Sequence, residues 1–120
     1  MSAHDPRVTL EQVIEFITEA QELVRSETLG SLLADRVRLR AFERVMELIG
    51  EAVKRLPLEL RERYPQVPWR NVAGMRDVIS HAYEDLVHQV LWDALQLHMP
   101  GLLSTVERML SELPAGDAAP

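Results

Sequence analysis

Apolar residues recur at three- and four-residue spacing along most of this 120-residue chain, the period of helices that bury one face. Leu10, Val13, Ile14, Ile17, Ala20 and Val24 form the first stripe and predict a helix to about Arg25. Asp5-Pro6 reads as its start, with Thr9 and Gln12 spaced as a capping box. Thr28 to Ala34 predicts a short helical turn leading into a second long helix, for which Asp35 is the expected cap. Along that helix Phe42, Val45, Met46, Ile49, Ala52, Val53 and Leu56 line one side as far as Pro57. Gly50 interrupts the helix at a cost of ~1 kcal/mol against Ala, which predicts a neighbouring segment packed close against it.

Pro57 to Pro68 carries three prolines. Short helical turns are expected from Leu58 to Arg63 and at Trp69-Arg70-Asn71-Val72. Met75 opens a third long helix that is apolar over a wide arc, from Val78, Ile79 and Ala82 to Val90, Leu91 and Leu95. Such an arc predicts a central place in a bundle and a subunit contact. Pro100-Gly101 is expected to break this helix before a last one bearing Leu102, Val106, Met109, Leu110 and Leu113. No segment alternates apolar and polar residues long enough to be a strand, and no repeat is visible. The reading is an all-α antiparallel helical bundle of three long helices plus shorter ones, one domain over residues 1–113 with a flexible tail at 114–120.

Composition removes whole classes of chemistry. Without Cys there is no disulfide, thiolate zinc site, iron–sulfur cluster or cysteine nucleophile. The apolar runs are too short to span a bilayer and the first residues lack a signal-peptide pattern, so no membrane association and a cytoplasmic location are expected. The formal charge of −6 argues against indiscriminate coating of nucleic acid. That average hides a gradient: residues 1–34 hold two basic and six acidic side chains (−4), residues 35–76 ten and six (+4), residues 77–120 one and seven (−6). A polyanion should therefore meet the middle third. Twelve of the thirteen cations are Arg, whose planar fork suits phosphate better than the point charge of Lys.

Three constellations carry candidate chemistry. Asp77, His81, Asp85 and His88 share one helix face, a pattern that can hold a divalent metal if other helices supply ligands. Glu43, Glu47 and Glu51, however, lie mostly opposite the apolar stripe and read as a solvated face, so no metal site is expected. The segment from Arg76 to Tyr83 pairs a permanent cation with a proton-transferring imidazole, Arg76 and His81. That pair suffices for RNA cleavage without metal, by attack of a 2′-hydroxyl on the adjacent phosphodiester. Residues five apart lie about 140° apart on an ideal helix. Arg76 and His81 thus edge a broad face, and a two-fold axis beside the helix would bring a second pair into one cleft. The plainer alternative makes His81 a core histidine bonded to Asp77 or Asp85, Arg76 the partner of a helix carboxylate, and Tyr83 an interface aromatic. Lastly, Arg36, Arg40 and Arg44 form a ridge that Arg61, Arg63 and Arg70 can extend, either as a phosphate track or as a surface paired with Glu43 and Glu47.

Gly50-Glu51-Ala52, Val67-Pro68-Trp69, Gly74-Met75-Arg76-Asp77, His81, Tyr83, Trp92, Pro100 and Leu102-Leu103 follow one another in the order and spacing of a known family. Over about residues 8–113 the chain resembles HepT-like toxins of the HEPN superfamily. The resemblance implies a homodimeric, metal-independent endoribonuclease without cofactor, the toxin of a type VII-like toxin–antitoxin pair. Its partners would be RNA and a cognate minimal nucleotidyltransferase antitoxin. It implies Arg76 and His81 as catalytic residues, Asp77 and Ser80 as polar support, and Tyr83 as the acceptor of AMP. Arg36, Arg40, Arg44 and Arg70 remain the RNA-binding candidates. After Tyr83 the family often shows an aromatic residue and a glycine, where this chain has Glu84-Asp85. A second function therefore stands beside the first: a non-catalytic binding subunit for a nucleotidyltransferase.

Overall fold

A computed structural model describes residues 5–80 and 85–114, apart from the side chains of residues 80, 85 and 86. Among these the chain is helical and contains no strand. The first helix, α1 (Pro6–Leu23), is capped by Asp5, whose carboxylate accepts from Arg7 N at 2.9 Å. Pro6 occupies the first turn, where its missing N–H is not needed. The expected Thr9–Gln12 capping box does not form, because the helix has already begun and Thr9 is buried within it. Thr28 and Ser31 instead make a reciprocal capping box for α2 (Leu29–Ala34). Asp35 caps α3 (Arg36–Lys54) as expected, through Arg38 N at 3.1 Å. Two short helices follow, α4 (Leu58–Glu62) and α5 (Trp69–Ala73), and then α6 (Met75–Ser80) and α7 (Asp85–Asp93).

The proline at position 100 does not break the last helical stretch. A π-helical turn, Ala94–His98, carries the chain from α7 directly into α8 (Met99–Glu112). There Met99 N–H reaches back to Ala94 O, five residues away. Pro100 has no N–H to offer the carbonyl four residues earlier and its ring would crowd it. The wider turn absorbs both problems without ending the helix.

The core lies where α3 packs on α1 and α1 on α8. Leu10, Ile17, Phe42, Met46, Ile49 and Met109 are wholly inaccessible there. Arg7 ties the bundle's ends together by donating to the carbonyls of Leu113 and Pro114. Across the other flank of α3 lie α5 and α6. This second contact is the one that positions the candidate site.

Candidate active site

Gly50 makes the site's geometry possible. A Cβ at this position would sit 2.9 Å from the backbone oxygen of Val72 and 3.5 Å from both Ala73 O and Arg76 N. The junction between α5 and α6 therefore lies directly on the α3 backbone, the close approach that a lone glycine in an apolar stripe predicts. It delivers Arg76 to a pair of carboxylates one helical turn apart, with Nε 3.5 Å from Glu51 and 3.9 Å from Glu47. Arg44 approaches the same two acids from the α3 side, at 2.8 Å from Glu47 and 3.8 Å from Glu51. The hydrogen bond to Glu47 pushes the Arg44 guanidinium pKa up, burial opposes it, and the charges of Glu47 and Glu51 add to the rise.

One turn earlier on α3, Glu43 accepts from Arg40 at 2.9 Å and lies 2.7 Å from Nε2 of His88 on α7. His88 is buried, and its Nδ1 has no hydrogen-bond partner among the described residues. Glu43, Glu47 and Glu51 are thus no solvated face. Their side chains are only 13, 21 and 25 % exposed, because α6 and α7 cover the flank of α3 that the apolar stripe leaves free. The plainer reading of the sequence, Arg76 as the partner of a helix carboxylate, matches this arrangement, whereas the contact of Glu43 with His88 was missed. Four-residue spacing lines the three acids up on one face of α3 but does not say which helix covers that face.

The remaining candidates distribute as follows. Asp77 is exposed in the first turn of α6. His81, Tyr83 and the side chain of Ser80 lie outside the described residues. Arg36 and Arg70 are exposed on α3 and α5, while Arg40 and Arg44 are engaged with Glu43 and Glu47. Among the described residues no three His, Asp or Glu side chains cluster to hold a metal ion. His88, expected on a shared face with Asp77, instead turns toward α3. The α6–α7 surface carries apolar side chains outward: Val78 is 42 % and Val90 51 % exposed. They border a groove of about 520 Å³ floored by Met75, Leu91, Ala94 and Met99.

An all-helical bundle that holds an arginine on paired carboxylates and carries an open apolar face is a class of architecture, and sequence comparison supplies the family. The family model for ribonuclease HepT-like proteins matches residues 13–109, and the chain belongs to this HepT-like ribonuclease family. It is 36% identical to a Caldanaerobacter subterraneus protein named "Putative RNase TTE0752", over 89% of this chain and 96% of that one. It is 34% identical to "Probable ribonuclease HepT" of Thermococcus cleftensis, over 83% and 91%. A third relative, "Putative RNase MJ0127" of Methanocaldococcus jannaschii, is 30% identical over 98% and 97%. No solved structure matches. Among the described residues no helix is long and apolar enough to cross a membrane.

Proposed function

We propose that the protein is a metal-independent endoribonuclease acting as a homodimer, the toxin of a type VII-like toxin–antitoxin pair. The observation that carries this reading is a chain of the HepT-like family whose Arg76 guanidinium is held by Glu47 and Glu51 with more than half of the side chain exposed. Glu51 and Glu47 hold the Arg76 guanidinium from one side while more than half of the side chain stays exposed. A phosphate can therefore reach its exposed part. His81 acts as general base on the ribose 2′-hydroxyl, whose oxygen attacks phosphorus. The 5′-oxygen leaves with a proton returned by imidazolium, giving a cyclic 2′,3′-phosphate and a free 5′-hydroxyl. Arg76 balances the charge that gathers on the phosphorane oxygens. The second protomer supplies the second Arg76 and His81, with the exposed Val78 and Val90 at the contact. Asp77 and Ser80 supply polar support at the cleft's rim.

Neutralisation in this reading acts at Tyr83, two residues along the chain from His81. A nucleotidyltransferase directs the Tyr83 oxygen onto the α-phosphorus of ATP, forming the O–P bond as pyrophosphate leaves. The added negative charge, two residues from His81, repels RNA. The cytoplasm is the compartment in which RNA and ATP are both at hand.

Cleavage of RNA by purified protein in EDTA, lost in His81→Ala with the dimer intact, is the expected result. Persistence of cleavage in that variant refutes the role of His81. Mass spectrometry after incubation with the cognate transferase and ATP should place AMP on Tyr83, and labelling of a different residue refutes that acceptor. One observation favours the non-catalytic alternative: Arg76 already has two carboxylate neighbours, which reduce the charge it can lend to a phosphorane. A dimer that binds the transferase and cleaves no RNA would establish it.

A further inference from the structure

The cations of the middle third fall into two sets. Arg38, Arg40 and Arg44 on α3 are engaged with Asp35, Glu43 and Glu47. Arg76 is likewise engaged with Glu47 and Glu51, whereas Arg36, Lys54, Arg55, Arg61, Arg63 and Arg70 make no ion pair with any described residue. Three of these six rim a single groove of about 540 Å³, where the end of α3 meets α4 and α5. Lys54, Arg61 and Arg70 stand against one lining carboxylate, Glu62, and the apolar surface between them comes from Leu58, Pro65 and Ala73. Leu58 is 66 % exposed there. Arg61 adds an independent sign that an acceptor is missing: its Nε is buried with no hydrogen-bond partner among the described residues. A covered donor left unsatisfied carries a desolvation cost that an incoming anion relieves.

We propose that this groove holds an unpaired stretch of RNA on its way to Arg76, a proposal that rests on the ribonuclease reading above. Lys54, Arg61 and Arg70 take consecutive phosphates, and Leu58 and Pro65 receive the face of a splayed base. Paired RNA hides its base faces and offers chiefly phosphate and 2′-hydroxyl, so an apolar floor between cations fits a single strand better. The groove and Arg76 meet the same stretch of α3. Ala73 lines the groove, and Ala73 and Arg76 flank the same point of α3, each with a backbone atom 3.5 Å from where a Gly50 Cβ would lie. The ridge Arg36-Arg40-Arg44, whose last two members are already paired, contributes little to binding.

The test measures anisotropy of a labelled, unstructured RNA of about twelve nucleotides across a salt series, with the full-length protein. Lys54→Gln/Arg61→Gln/Arg70→Gln should weaken binding about tenfold near 50 mM salt and flatten the log–log salt slope by about 2, three single-strand phosphate contacts' worth. Arg36→Gln/Arg40→Gln/Arg44→Gln should change both much less. In the groove variant KM should rise more for the longer strand than for a dinucleoside monophosphate, which is too short to reach the groove. Lys54→Gln/Arg70→Gln, which leaves Arg61 in place, serves if the triple variant does not fold and should flatten the slope by about 1.4. Unchanged affinity and slope in the groove variants overturn the proposal, as does displacement of RNA by polyglutamate at equal charge concentration, which would mark an acidic-protein surface. Loss of binding in the groove variant of a protein that cleaves no RNA would sink the ribonuclease reading and leave the groove standing. Cleavage with an indifferent groove variant would do the reverse.

Discussion

Glu51 and Tyr64 show how much a single side chain contributes here. In the proposed mechanism Glu51 is a positioning residue: its carboxylate lies 3.5 Å from Arg76 Nε and is itself three-quarters covered. Glu51→Gln keeps the shape and removes the charge that orients the guanidinium. RNA cleavage should fall roughly tenfold in kcat, about 1.4 kcal/mol of barrier, with stability changed by less than about 1 kcal/mol because Arg76 is exposed. Single-turnover kinetics beside a urea melt check both parts, and an unchanged kcat would dismiss the positioning role. Tyr64, buried in the turn after α4, donates to Glu112 on α8, with Arg108 stacked 5.2 Å from its ring centre. The hydrogen bond to Glu112, then burial and the carboxylate's charge, push the phenol pKa above its usual 10.0. The unfolded chain therefore loses this proton first as pH rises. Stability from this contact is complete below about pH 10 and declines above it. Urea melts from pH 8 to 11 should show that decline in the wild type, and Tyr64→Phe should lack this component.

At the scale of elements, the helix–helix contact at Gly50 outweighs intrinsic propensity. Ala is the better helix former by ~1 kcal/mol, but its methyl would meet the Val72 carbonyl at 2.9 Å. That neighbour is backbone and cannot swing aside, so Gly50→Ala should destabilise by about 1–3 kcal/mol net. It should also reduce cleavage by shifting Arg76; a raised melting temperature would contradict the packing account. The long helices and their Asp35 cap were legible in the sequence, because apolar spacing and capping chemistry are local. The direct passage from α7 through Ala94–His98 into α8 was not. A proline signals lost hydrogen bonding, and whether the chain then turns or widens depends on what the flanking helices pack against.

For the whole molecule, the open α6–α7 face is where a second copy would complete the proposed catalytic cleft. Val78 and Val90 are exposed, so Val78→Asp/Val90→Asp should leave one chain's stability within about 0.5 kcal/mol. Light scattering should then report a monomer, and RNA cleavage should vanish with it. A dimeric or fully active double variant would place the contact elsewhere.

By itself the sequence determined the all-helical class, the main amphipathic helices, the close approach at Gly50 and the absence of cysteine chemistry. Periodicity, capping and composition depend on neighbours a few residues away. Only the tertiary structure decided the fate of the charges. The acidic column Glu43-Glu47-Glu51, which sequence spacing assigned to solvent, is covered by α6 and α7 and engages Arg76 and His88. Ion pairing between helices depends on which flank is buried second, after the apolar stripe has chosen the first, and no local pattern encodes that choice.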